Sequence, residues 1–174
     1  GALAFEQMAR GGRLVEQGPA ADAVQVIATR LTAAAPTRPF TFHFAVSRDA
    51  SVNAYATPGG WIVVHAGLLA AADSPDEVAG VLAHEMTHVL ERHTMRQVVF
   101  QAGLTTATRL LLGSGEGAAD LLSGAALDLT TLRFSREQER AADLGAVRLL
   151  RAAQLPTSGL AAFFERLAQE RGAP

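Results

Sequence analysis

Hydrophobic positions in the first 34 residues recur at helical spacing, and breaks at Gly11-Gly12 and Gly18-Pro19 leave Ala21 to Leu31 as the firmer helix. The period then changes to two. Across Phe40-Thr41-Phe42-His43-Phe44-Ala45-Val46 the alternation places Phe40, Phe42, Phe44 and Val46 on one face of a half-buried strand. His43 falls on the other face, where a strand histidine reads as solvated, so it stays outside any site. Two more short strands follow, Val52 to Ala56 and Trp61 to His65, joined through a turn at Pro58-Gly59-Gly60. Asp73-Ser74-Pro75-Asp76-Glu77 then predicts a helix start: Ser74 as cap, Pro75 in the first turn, Glu77 completing a capping box. Val98 to Leu112 is apolar with threonine interruptions, and Ala118 to Leu132 looks helical. The loop between them, Gly113 to Gly117, lacks a preceding strand and a Gly-Lys-Ser/Thr ending, so it reads as a mobile hairpin tip and not a phosphate cradle. These elements predict an α+β fold, mainly helical, with a small sheet from residues 40 to 65 packed on the helix that begins at Pro75.

That helix is apolar on nearly every side (Val78, Ala79, Val81, Leu82, Ala83, Met86, Val89, Leu90), so it is expected to be buried. It nonetheless carries His84-Glu85-Met86-Thr87-His88. Histidines four apart project from one helix face and can grip one ion, while Glu85 points about 100° around the axis. A carboxylate placed there can take a proton from a water that the ion activates. Five histidines and ten glutamates scattered at random would give this pattern roughly once in a hundred such chains. The plain alternative is a pair of histidines satisfied by hydrogen bonds in a polar pocket. Burial weighs against it, because two imidazoles and a carboxylate inside an apolar helix are costly without a compensating cation. Read along a continuous helix, His93 lies off the ligand face, either beside the site or at the surface.

A catalytic zinc site needs three protein ligands and a water. Downstream, Ser135 caps another predicted helix with Gln138 three residues on, and Glu139 and Asp143 follow one turn apart on a shared face. If Glu139 is the third ligand, Asp143 is placed to accept the outer ring N–H of a ligand histidine. Acidic residues at a helix start are ordinarily solvated and favoured by the helix dipole; the upstream histidine pair is what shifts Glu139 toward a metal role. Glu137 points elsewhere on the helix.

At 174 residues with 49% hydrophobic and 18% charged side chains, the chain is long and apolar enough for one domain with a real core. A net charge of −2 supplies no basic face for nucleic acid. The absence of cysteine excludes disulfides and a thiolate zinc site. The longest uncharged run, Ala50 to Ala72, is broken by Asn53 and Pro58-Gly59-Gly60, so it reads as buried sheet and not a membrane span. An alanine and leucine excess in the second half leaves room for a face in peripheral contact with a membrane. The start at Gly1, with no leader, suggests a trimmed chain.

Three segments, Asn53-Ala54-Tyr55-Ala56-Thr57-Pro58-Gly59-Gly60-Trp61-Ile62-Val63-Val64-His65-Ala66-Gly67-Leu68, His84 to His88, and Ser135 to Asp143, occur in an order that resembles the HtpX/BepA-type gluzincin metallopeptidases. This is family 48 of the metallopeptidases, with the CAAX prenyl endopeptidase and the Oma-type mitochondrial protease as further members. The resemblance runs over residues 13 to 170. It implies a zincin-like metalloprotease domain acting on polypeptides, with one zinc ion per chain bound by His84, His88 and Glu139. Glu85 would be the base, Asp143 would hold a ligand histidine, and the stretch from Asn53 would lie along the substrate cleft. Tyr55, His65 and Arg140 are candidate donors to the transition-state oxyanion, and the sequence does not choose between them. Many cell-envelope members carry a His-Pro motif and an arginine after the last helices; this chain stops at Pro174 without them, so the C-terminal part of the family domain is expected to be missing. The likeness points to a soluble or peripheral bacterial branch, periplasmic or membrane-associated, hydrolysing unfolded or misassembled proteins. The competing expectation is a zinc-containing binding module with a latent site.

Overall fold

The computed structural model describes residues 2–15, 17–36, 41–100, 103, 134–170 and 172. Helix α1 (Ala2–Arg10), strand β1 (Leu14–Val15) and helix α2 (Pro19–Ala34) precede strands β2 (His43–Ser47), β3 (Ala54–Thr57) and β4 (Trp61–His65). Helix α3 (Ala66–Ala71), helix α4 (Pro75–Leu90), helix α5 (Arg136–Ala152) and helix α6 (Gly159–Glu170) complete the described elements, together with a helical stretch over 93–100. The expected α+β architecture is present. The sequence-predicted elements at 104–132, and Phe40, lie outside the described residues.

The sheet runs in the order β1-β2-β4-β3. β4 is central, parallel to β2 and antiparallel to β3, and Ile62, Val63 and Val64 are all buried. The β3–β4 hairpin closes through Pro58-Gly59-Gly60, where Gly59 (φ 92°) and Gly60 (φ 91°) adopt left-handed backbone open to glycine. β1 was not foreseen. It pairs only Leu14 with Ser47 and Val15 with Val46, and two residues carry no readable period.

α4 begins as predicted at Ser74, whose hydroxyl accepts the Glu77 N–H at 3.4 Å. The reciprocal half of the box differs. The Glu77 carboxylate accepts from the Asp73 N–H (2.9 Å) and pairs with Arg166 of α6 (2.5 Å). A buried carboxylate is better compensated by a guanidinium than by one amide. α5 begins with a complete capping box between Ser135 and Gln138 (3.2 and 2.8 Å).

α4 is the centre of the packing, with α5, α6, α2 and β3 against it and thirteen of its residues buried. α5 can come close because it presents Ala142, Gly145 and Ala146. A Cβ at Gly145 would run into Thr87, which is buried and held by a 2.8 Å hydrogen bond to the Ala83 carbonyl. Gly145→Ala is therefore expected to lower stability by about 1–3 kcal/mol in urea unfolding. Thr87→Ala in the same chain should recover part of that loss, because the two sites share one space.

Candidate metal centre and cleft

One helical turn of α4 separates His84 from His88, and their Nε2 atoms converge to 3.0 Å. The capped start of α5 crosses beside them and delivers Glu139. Its Oε2 lies 3.4 Å from His84 Nε2 and its Oε1 3.8 Å from His88 Nε2. One ligand atom from each of the three side chains falls within 4.8 Å of the others. Asp143, one turn further along α5, reaches His84 Nδ1 at 3.0 Å. In the neutral ring that contact puts the proton on Nδ1, so the Nε2 lone pair faces Glu139. Electron pairs aimed at one point repel unless a cation lies among them, and two imidazoles with one carboxylate suit zinc. The side chains present therefore fit the ion.

Burial sets the charge states. His88 is 1% exposed; burial first, then the fields of His84 and His93, push its pKa from 6.5 down to about 3. A neutral imidazole is the form a metal needs. Glu85 is half-buried on the cleft wall, yet its carboxyl is enclosed, and burial followed by the charge of Glu139 pushes it from 4.5 up to about 8. A hydrogen bond from the Ala56 backbone opposes the rise.

The cleft holds about 580 Å³. Asn53, just before β3, and Tyr55 within it line one side, and Phe163, Phe164 and Leu167 of α6 form an apolar wall. β3 pairs only with β4 among the described residues, and on its other edge the Ala56 N–H meets the Glu85 carboxyl. The Tyr55 hydroxyl contacts Met8 Sδ at 3.3 Å. The remaining two donor candidates sit elsewhere. His65 is buried, its Nδ1 2.8 Å from Ser51 Oγ, and Arg140 is exposed on α5; neither lines the cleft. His43 is exposed and stacks on Trp61 (4.0 Å, 16°).

Sequence alone left Phe134 unassigned and His93 either beside the site or at the surface. Phe134 stacks on the His88 ring (centroids 4.0 Å, 20°), and a lone phenylalanine before a cap gives no signal. His93 is 4% exposed, with Nδ1 3.1 Å from His88 Nδ1. Of the two places the sequence left for His93, the structure gives the one beside the site, because α4 ends at Leu90 and Arg92 turns the chain with a left-handed φ of 58°.

Fold and site together define a His-Glu-x-x-His metallopeptidase domain. Residues 19–170 match peptidase family M48, and the chain belongs to that family. It is 29% identical to the beta-barrel assembly-enhancing protease of Yersinia pestis over 84% of its own length and 32% of that protein's. It is 34% identical to metalloprotease LoiP of Escherichia coli (76% of this chain, 53% of LoiP). With the mitochondrial metalloendopeptidase OMA1 of Schizosaccharomyces pombe it shares 30% identity (73% of this chain, 38% of OMA1). The chain thus spans about a third to a half of the length of these relatives.

The raised Glu85 carboxyl has a stability consequence. Glu85 is neutral in both folded and unfolded metal-free protein below pH 4.5, so no stability is lost there; the loss grows as pH rises to about 8, because only the unfolded state ionises freely. Glu85→Gln is expected to stabilise the metal-free chain at pH 8.5 by on the order of a few kcal/mol, and to change little at pH 4. Thermal melts in chelator at both pH values check this.

Proposed function

We propose that this chain is the catalytic domain of a zinc-dependent endopeptidase, with one zinc ion per chain, that hydrolyses unfolded or misassembled polypeptides in a bacterial cell envelope. The observation that carries the reading is the convergence of the His84, His88 and Glu139 electron pairs beside Glu85, at a cleft bordered by an edge strand of the sheet. Zinc, when bound, supplies Lewis acidity that lowers the pKa of a water toward about 7 and polarises the scissile carbonyl.

The protein's own groups do the rest. Asp143 holds the His84 ring so that Nε2 faces the ion. Glu85, drawn back toward its ionised form by a cation in the site, takes a proton from the attacking water and returns it to the leaving amine. The outer edge of β3 pairs with an extended substrate backbone, with alternate side chains directed to opposite sides. Of the three oxyanion-donor candidates only Tyr55 lines the cleft, and its hydroxyl is turned to Met8 Sδ, so the role is assigned to none of them.

The envelope setting is supported by a relative named for enhancing β-barrel assembly. No helix among the described residues is long and apolar enough to cross a membrane. A periplasmic or peripheral position accommodates both facts.

Glu85→Gln is expected to keep one zinc per chain while lowering cleavage of casein, an unfolded substrate, by at least about 100-fold. Retained cleavage removes Glu85 as base. Zinc binding without turnover in the unaltered chain would favour a binding module instead. Glu139→Ala is expected to weaken zinc binding by more than about tenfold in a chelator competition.

A further inference from the structure

Four contacts hold the His88 ring or meet it. Its outer nitrogen, Nδ1, lies 3.1 Å from His93 Nδ1, and one face stacks on Phe134 at 4.0 Å. The His93 ring stands at 67° to it with centroids 5.2 Å apart, and the inner nitrogen, Nε2, meets His84 Nε2 at 3.0 Å. Both His88 and His93 are buried, at 1% and 4% exposure. Water is therefore not the ready partner for an Nδ1–H placed between them.

We infer that His93 is a positioning residue for the metal centre: its Nδ1 lone pair accepts the Nδ1–H of His88 and so keeps the His88 Nε2 lone pair aimed at the ion. The inference rests on the metal reading above and adds a residue to it. An imidazole can bind a metal through Nε2 only when the ring proton is on Nδ1, and an acceptor at that edge fixes both tautomer and ring angle. His84 has such an acceptor in Asp143. Among the described residues, His93 Nδ1 is the hydrogen-bond partner placed at the corresponding atom of His88. To accept there, His93 carries its own proton on Nε2.

The two ligand histidines are thus held by acceptors of different charge. A carboxylate at His84 strengthens that ring as a donor more than a neutral imidazole at His88 does. The choice follows from depth: His88 sits deeper than His84, and an unpaired carboxylate beside it would be costly to bury, whereas a neutral ring is not. The break at Arg92 makes the contact possible. On an unbroken helix a residue five further on would face another side, but the left-handed turn brings the chain back over the last turn of α4.

The test compares His93→Phe, which keeps a planar ring without an acceptor, with His93→Asn, whose Oδ1 can stand where Nδ1 was. Zinc affinity is read by chelator competition, and folding of each metal-free variant by circular dichroism and thermal melting. His93→Phe is expected to weaken zinc binding by about 10-fold to 100-fold, and His93→Asn to remain within about threefold of the unaltered protein. Loss of packing alone would not be repaired by the smaller asparagine. Should His93→Phe not fold, nitrogen-15 NMR of the zinc-loaded unaltered protein decides: a scalar coupling across the hydrogen bond from His88 Nδ1 to His93 Nδ1 is expected. Unchanged zinc affinity in a folded His93→Phe, or absence of that coupling, overturns the role of His93 and leaves the metal reading standing. Failure of the unaltered chain to bind zinc overturns both.

Discussion

The structure depends on placing polar donors inside its most buried helix. α4 is enclosed by other elements on nearly all sides, and burying His84, His88 and the Glu85 carboxyl there is tolerable only if each is met by a partner. Those partners come from α5 (Glu139 and Asp143), from the start of the helical stretch after α4 (His93) and from the Ala56 backbone of β3, which meets the Glu85 carboxyl. Their reach is short. A carboxylate side chain spans only a few ångströms, so α5 must cross α4 at close range, and the row Ala142, Gly145 and Ala146 is what permits that approach. Helix packing and metal geometry are in this sense one constraint.

The charge states of the metal-free site express the same demand. Burial lowers the His88 pKa and raises that of Glu85, so in each case the group moves toward its neutral form. A divalent cation reverses the logic for Glu85 and leaves it unchanged for His88, since the ion stabilises a carboxylate and needs a neutral ring. In the proposed zinc-bound site, one cation would leave two neutral imidazole donors and an ionised Glu85, which is the pairing that hydrolysis requires. Because His84 and His88 lie on α4 and Glu139 on α5, an ion bound among them would also hold the two helices together.

Much of this was legible from residues alone. The histidine spacing on a nearly all-apolar helix and the caps at Ser74 and Ser135 rest on local rules that tertiary structure did not override, whereas Glu139 was linked to the histidines only through the pattern some fifty residues upstream. The strand at Trp61 to His65 was readable because Ile62, Val63 and Val64 form a continuous apolar run and Gly59-Gly60 marks the turn before it. Features that escaped depend on other signals. β1 is too short to show a period and exists through its pairing with β2. The Glu77 carboxylate leaves its expected capping role because Arg166, 89 positions away, offers a stronger partner. His93 was left between a place beside the site and one at the surface because helical-wheel reasoning assumes an unbroken helix, and an arginine at a left-handed φ is an uncommon way to end one.

A second close crossing repeats the device on the other side of α4. A Cβ on Gly80 would meet the Leu160 backbone, and one on Gly159 would meet Asp76, so α6 sits directly against the first half of α4. Arg166 secures that position by pairing with Asp73 and Glu77 at the helix start. Because α6 also supplies Phe163, Phe164 and Leu167 to the cleft, the distance between its apolar wall and the edge of β3 is set where α6 meets α4. Glycine at one crossing brings Glu139 and Asp143 to the histidines, and glycine at the other sets how wide the cleft can be. A peptide entering between β3 and α6 would then lie along a rigid frame, since both walls are fixed to the helix that carries His84, Glu85 and His88.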